Sequence, residues 1–266
     1  MNFGLIVVGD EILSGKRQDK HLVKVAEMLA ARGLGLSWAR YLGDDRAQLA
    51  QALRQSFESA DAVFCCGGIG ATPDDHTRQA AGLALGVELE LHPVARERIA
   101  RRCAEMALEG RGTADMGTAE NRQRLKMGEF PRGAEIIENP YNGIPGFAIG
   151  NHYFVPGFPT MAWPMIATLL DTRFAHLHHR APSAERALLL YEVPESAAVP
   201  LMEAVQAAYP EARVFSLPTA GEDGRRRHIE LGVRAPVAIL EAAFAQLDSG
   251  ARMLGEVEMI ETVRRT

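Results

Sequence analysis

The chain has 266 residues, 47% hydrophobic and 24% charged, with a net charge of −5. That length predicts one large or two moderate domains, and the charge offers no general attraction to nucleic acid. Three cysteines, two of them adjacent at Cys65 and Cys66, give neither a disulfide framework nor metal-ligand spacing, and no apolar run approaches membrane-spanning length.

Phe3–Val8 is a short apolar strand that runs into Gly9-Asp10-Glu11-Ile12-Leu13-Ser14-Gly15. Leu22, Val25, Ala26, Leu29 and Ala30 then recur at i, i+3, i+4, i+7 and i+8, which predicts an amphipathic helix ending near Gly33. A third segment, Leu36–Leu42, reads as a strand leading into Gly43-Asp44-Asp45 and a helix carrying Leu49, Leu53 and Phe57. The run Asp61–Cys65 has the length of a buried strand; it opens into Cys66-Gly67-Gly68-Ile69-Gly70-Ala71-Thr72-Pro73-Asp74-Asp75-His76-Thr77 and a helix over Arg78–Leu85. After a helix at Val94–Ala107, the polar interval Glu109–Gln123 breaks periodicity and reads as a loop or lid. Asn121 and Arg122 are its candidates for reaching a phosphate, although a solvated loop is the simpler reading. Gly150-Asn151 between apolar runs predicts a hairpin over Phe147–Val155, with His152 exposed beside the turn, and Pro159 can open the next helix. The stretch His176–Ser183 reads as a linker. Beyond it the pattern is strand Ala187–Glu192, helix Glu195–Tyr209, strands Arg213–Ser216 and Arg227–Arg234, helix Pro236–Asp248 and a last strand near Glu256–Glu261, a small α+β domain.

Three successive strands end in Gly and Asp before a helix. In a parallel, doubly wound α/β sheet those ends share one edge, where ligands bind. A glycine cluster there lets backbone N–H groups close on an anion, and the following helix N-terminus adds partial positive charge. Carboxylates in the same place repel a phosphate unless a metal ion or a water lies between them, so a phosphate cradle with an acidic pair is the chemical expectation. A glycine-rich turn with an Asp helix cap is the structural alternative.

Gly9–Gly15, Gly43-Asp44, Gly67-Gly68-Ile69-Gly70-Ala71-Thr72 and Asp74-Asp75-His76-Thr77 together resemble the molybdopterin-binding (MoCF) domain. Phe130–Ala134, Asn139-Pro140, Gly143–Phe147 and Pro156–Met161 extend the likeness, which covers roughly residues 1–172 and is greatest to the N-terminal part of the CinA (competence/damage-inducible) family. The chain departs from that pattern at Ala71, where the family usually has Pro, at Asp19-Lys20-His21 for Asp-Thr-Asn, and at Phe158–Ala162, where a family Glu is missing. The resemblance implies a doubly wound α/β domain over 1–175 and a small KH-like α+β domain over 183–266. It also implies a metal-dependent hydrolase that cleaves the pyrophosphate of ADP-ribose or a dinucleotide such as FAD, since a eukaryotic FAD synthase carries a similar domain. A binding module for a pterin or nucleotide is the alternative. In this reading Gly67, Gly68, Gly70 and Thr72 hold the phosphates, with Gly9, Ser14, Asp74 and Gly157 beside them. Asp44 and Asp75 are the catalytic candidates, and Asp10, Asp44 and Asp75 hold a divalent ion (Mg, Mn or Co). Asp74 ranks below Asp75 because it can simply cap the helix.

The family's C-terminal amidohydrolase domain has no counterpart in these residues, so its deamidase activity is not expected. A KH domain that binds RNA needs a Gly-X-X-Gly loop between helices, whereas Gly221-Glu222-Asp223-Gly224 lies between strands and carries two acids, and Arg225-Arg226-Arg227 reads as a solvated turn. No RNA partner and no membrane partner are expected. A cytoplasmic homo-oligomer is, since the chain opens directly on a strand with no room for a signal peptide.

Overall fold

A computed structural model of the chain describes residues 1–179, 183–221, 226–260 and 264–265. The chain divides into two compact units, Met1–Leu29 with Gly35–His176 and Ala30–Leu34 with Leu177–Thr266.

The first unit runs β1 (Phe3–Val8), α1 (Asp10–Leu13), α2 (His21–Ala30), β2 (Leu36–Leu42), α3 (Arg46–Phe57), β3 (Ala62–Cys66), α4 (Thr77–Leu85), β4 (Leu89–Leu91), α5 (Pro93–Leu108), α6 (Ala119–Leu125), β5 (Glu129–Pro131), β6 (Glu135–Ile137), β7 (Gly146–Ile149), β8 (His152–Val155) and α7 (Pro159–Thr172). Its main sheet has the order β2-β1-β3-β8-β7-β6. The first four strands are parallel neighbours, and β7 and β6 close the edge antiparallel. β1 and β3 are buried along their whole length, because both faces of a doubly wound sheet are covered and apolar residues are favoured at every position. Ile6, Val8, Val63 and Cys65 pack with Leu49 and Leu53 of α3 and Ala80 and Ala81 of α4. Alternate residues serve a second core, in which Phe174 sets its ring edge-on to Phe3, Phe64 and Tyr153. The mostly parallel α/β fold expected from the strand-Gly-Asp-helix rhythm is therefore the fold observed.

In the second unit β9 (Ser183–Tyr191), α8 (Glu195–Ala208), β10 (Arg213–Thr219), β11 (His228–Pro236), α9 (Val237–Leu254), β12 (Val257–Met259) and β13 (Arg264–Arg265) form an antiparallel sheet of order β10-β11-β9-β12, with β13 also on β9. Leu188, Leu190, Leu231 and Val233 bury one face of that sheet with Val205 of α8 and Phe244 and Leu247 of α9. The expected elements are all present, α9 running six residues past its expected end at Asp248. Glu222–Arg225 and Arg180–Pro182, which figure in the Gly-X-X-Gly and linker readings, lie outside the described residues. Arg226 is an exposed arginine that pairs with Glu256 and stacks on Tyr191, its ring centre 4.3 Å away.

Three local expectations are corrected. The polar interval after α5 contains α6, whose N-cap Thr118 accepts from the Asn121 N–H. Its Asn121 is fully buried and donates to the carbonyls of Thr113 and Asp115, so it ties down its own turn rather than covering a ligand. His152 is buried, not exposed beside the hairpin turn: its Nε2 lies 2.7 Å from Ser56 Oγ and its ring 4.0 Å from that of Phe57. The parallel pairing of β8 with β3 carries that end of the hairpin into the sheet, a tertiary fact that turn chemistry does not contain. Asp74 caps nothing: α4 starts after His76, with no side-chain cap.

Burial pushes the His152 imidazole down to about 4. The unfolded chain, titrating near 6.5, then binds the proton first, so stability is full above that value and falls as pH drops from about 6.5 to 4. A His152→Gln variant is expected to show a flatter midpoint-against-pH curve over that window in urea titrations. An unchanged slope would assign the acid sensitivity to other groups.

Candidate functional site

Because β2, β1, β3 and β8 are parallel, the turns that leave them emerge on one edge. β2 lies on one side of β1 and β3 on the other, so the chain reverses direction across the sheet between β1 and β3 and a crevice opens there. A cleft of about 630 Å³ occupies that place, within the range of small-molecule sites. Gly9, Asp44, Gly67, Gly68, Gly70, Thr72, Asp74, Asp75 and Gly157 all line it. Ser14 and Asp10 do not: Ser14 is the exposed C-cap of α1, and Asp10 reaches the site only through Asp44.

The glycine loop is shaped by inward-held carbonyls. The Gly67 carbonyl accepts from Thr77 Oγ1 at 3.0 Å, that of Gly68 from the Thr77 N–H at 3.0 Å, and that of Gly70 from Arg78 at 2.5 Å. In a trans peptide the N–H points opposite to the C=O, so the amides of Gly68, Ile69 and Ala71 are turned the other way. Among the described residues those amides have no protein partner, which makes the loop a concave row of free donors. The conformation demands glycine. Gly67 and Gly68 have φ of 111° and 68°, and a Cβ on Gly67 would stand 2.3 Å from the Val8 carbonyl oxygen. Ile69, 7% exposed, anchors the loop in the core behind it.

Asp75 braces the outer half of this loop. Its Oδ2 accepts from the Thr72 N–H at 2.8 Å and from the Thr72 hydroxyl, and a Cβ on Gly70 would fall 2.5 Å from it. A carboxylate has about four acceptor positions, so two remain for a ligand or a water. Across the crevice, Asp10 and Asp44 interlock: the Asp10 N–H donates to Asp44 Oδ2 at 2.9 Å and the Asp44 N–H to Asp10 Oδ1 at 3.2 Å. Burial, and then the charges of Asp10, Glu11 and Asp74, push the Asp44 carboxyl above its usual range, against the Asp10 N–H bond that pulls it down. Among the described residues no three His, Cys, Asp or Glu side chains gather as a metal-holding group, so Asp10, Asp44 and Asp75 are not a preformed cage.

The opposite wall comes from residues that strand-Gly-Asp spacing does not reveal. Asn139 is buried, and its Nδ2 donates to Asn142 Oδ1 and to the Ile144 carbonyl, both at 2.9 Å, which sets the turn that presents Ile144 and Pro145. Phe158, 58% exposed, and Met161 complete an apolar side. Arg17 is a cation on the same lining as Glu11, Asp44, Asp74 and Asp75. His21, where the family pattern has Asn, is buried with Nε2 3.0 Å from the Gly157 carbonyl oxygen, so it ties α2 to the cleft wall.

Comparison with known proteins gives the same frame. The family described as "Probable molybdopterin binding domain" matches residues 4–176. A CinA-like protein of Anaeromyxobacter sp. (strain Fw109-5) is 33% identical over 248 residues, covering 86% of this chain and 58% of that protein. One from Citrifermentans bemidjiense is 30% identical, covering 84% and 55%. The chain thus spans little more than half the length of these curated relatives. Among solved structures, the protein CinA from Thermoplasma acidophilum, described as of unknown function, superimposes with a TM-score of 0.55 at 26% identity, covering 64% of this chain and 98% of that one. With the glycine loop, the crevice and the matched span in agreement, this chain belongs to the molybdopterin-binding domain family, with CinA-like proteins among its relatives.

Proposed function

We propose that the first unit binds a nucleotide or pterin bearing a pyrophosphate and, with a divalent metal ion, hydrolyses that bond in ADP-ribose or a related dinucleotide such as FAD. The observation that carries this reading is the row of unpaired amides at Gly68, Ile69 and Ala71 facing a cleft whose other rim is Asp44. Phosphates sit on the amides. The apolar side at Ile144, Pro145, Phe158 and Met161 suits a flat heterocycle, since an exposed aromatic face stacks on a base.

Carboxylate oxygens are the hard donors that Mg2+, Mn2+ or Co2+ take. Such an ion needs only one or two of them when phosphate oxygens and waters complete its shell. Asp44, held in place by its hydrogen bonds with Asp10, meets that requirement without a third acid. When bound, the ion would offset the negative charge of the phosphates. The remaining work falls to the chain: the loop amides fix the phosphorus, and the free side of Asp75 orients the attacking water and takes its proton as the water oxygen–phosphorus bond forms. The bridging oxygen–phosphorus bond breaks and the two phosphoryl products leave the cleft.

Purified protein supplied with Mg2+, Mn2+ or Co2+ is expected to cleave ADP-ribose or FAD and to lose that turnover in EDTA. Cleavage that persists in EDTA overturns the metal assignment. The second reading, a binding module without chemistry of its own, is favoured by one feature: Asp10 and Asp75 already serve as hydrogen-bond braces. Tight binding of these nucleotides or of molybdopterin with no turnover of any would establish it.

A further inference from the structure

Arg78, at the second position of α4, is 2% exposed, an unusual place for a guanidinium. It donates through one terminal nitrogen to the Gly70 carbonyl at 2.5 Å and through the other to the Lys126 carbonyl, 48 residues away, while its buried Nε has no partner among the described residues. Asp75 and Glu129 are the acids whose charge it feels. Burying a cation with one donor unpaired is costly, and two neutral carbonyls are poor compensation for it. Packing alone would be served better by Leu or Met. The geometry does what those residues cannot: it pins the peptide between Gly70 and Ala71 with its oxygen inward. α6 and the residues after it share the task, since Gln123 Nε2 of α6 donates to the Ala71 carbonyl and Met127 lines the cleft.

We infer that Arg78 is the positioning residue of the anion loop. By holding the Gly70 carbonyl it aims the Ala71 N–H into the cleft, and through the Lys126 carbonyl it makes the loop's affinity for phosphate depend on the segment 119–128. The inference rests on the proposed function only in taking the cleft ligand to carry a pyrophosphate. Lysine keeps the charge but is a point donor without the planar fork, so it cannot hold both carbonyls in the same geometry.

The test uses the full chain, with Mg2+ and a non-hydrolysable ADP-ribose analogue, its bridging oxygen replaced by CH2, as the calorimetric probe. Arg78→Lys is expected to bind about 10- to 100-fold more weakly. Phe174→Leu, in the second core of the same unit, where its ring meets Phe3, Phe64 and Tyr153 and no residue of the cleft lining, should lower the melting temperature and leave affinity unchanged, which separates positioning from general loosening. A folded Arg78→Lys that binds within twofold of the unsubstituted protein overturns the inference. Should that variant not fold, amide exchange in the unsubstituted protein decides. Exchange at Gly68, Ile69 and Ala71 should slow together, by tenfold or more, on saturation. Slowing at Gly68 and Ile69 with Ala71 unchanged overturns the role of Arg78 and leaves the proposed function standing. No binding at all by the unsubstituted protein overturns the proposed function, and this inference with it.

Discussion

An Asp75→Asn variant is expected to lose about two orders of magnitude or more in turnover of ADP-ribose, whereas Asp74→Asn should lose no more than a fewfold. The sequence places these acids side by side, and the fold separates them. Asp75 Oδ2 accepts two bonds from Thr72 and sits against Gly70, so its charge holds the loop and its free side borders the cleft. Asn keeps the size but loses the charge. It can satisfy the Thr72 N–H only weakly and cannot take a proton from water, and terms of this kind are worth about 10²–10³ in rate. Asp74 is exposed on the cleft rim. Steady-state kinetics on both variants, with melting curves to confirm folding, checks the contrast. Equal losses would show that the acids share one role.

Gly67→Ala should be the most damaging single change at the site. At φ 111° an L-residue is strained by about 1–3 kcal/mol. The added methyl also meets the Val8 carbonyl oxygen at 2.3 Å, a backbone atom at the end of β1, where Val8 is held in register with Leu42 of β2 and cannot step aside. Gly157 backs the same point, since a Cβ there would lie 3.3 Å from Gly67 Cα. Relief must come from shifting the loop, which moves the amides of Gly68 and Ile69 off the ligand. A drop in the denaturation midpoint should therefore accompany a loss of ADP-ribose binding of at least about 100-fold. Gly133→Ala, at φ 86° with open space around its Cβ position, is the control: it carries the backbone strain without the clash and should keep affinity.

What the sequence determined by itself was periodic or local. The apolar run Phe3–Val8 and the segment Leu36–Leu42 coincide with β1 and β2 to the residue: β1 is buried on both faces and apolar throughout, while the half-exposed edge strand β2 ends where Gly43 and Asp44 begin. The Gly67–Thr72 loop and the Gly150-Asn151 hairpin were legible for the same reason, since each conformation is written in its own few residues. The gathering of Gly9, Asp44 and Gly67 followed from parallel strand order alone. Long-range packing settled the rest. His152 looks like a turn residue until pairing of β8 with β3 and contact with Ser56 bury it. Asn121 looks like a free polar side chain until its turn folds back onto it. Arg78 reads as one more charged residue on a short helix, and nothing nearby in sequence announces that Lys126 will accept from it. A side chain's role is set by the neighbours that long-range packing supplies. Spacing along the chain encodes those neighbours only where a regular element, or the order of strands in a sheet, repeats them.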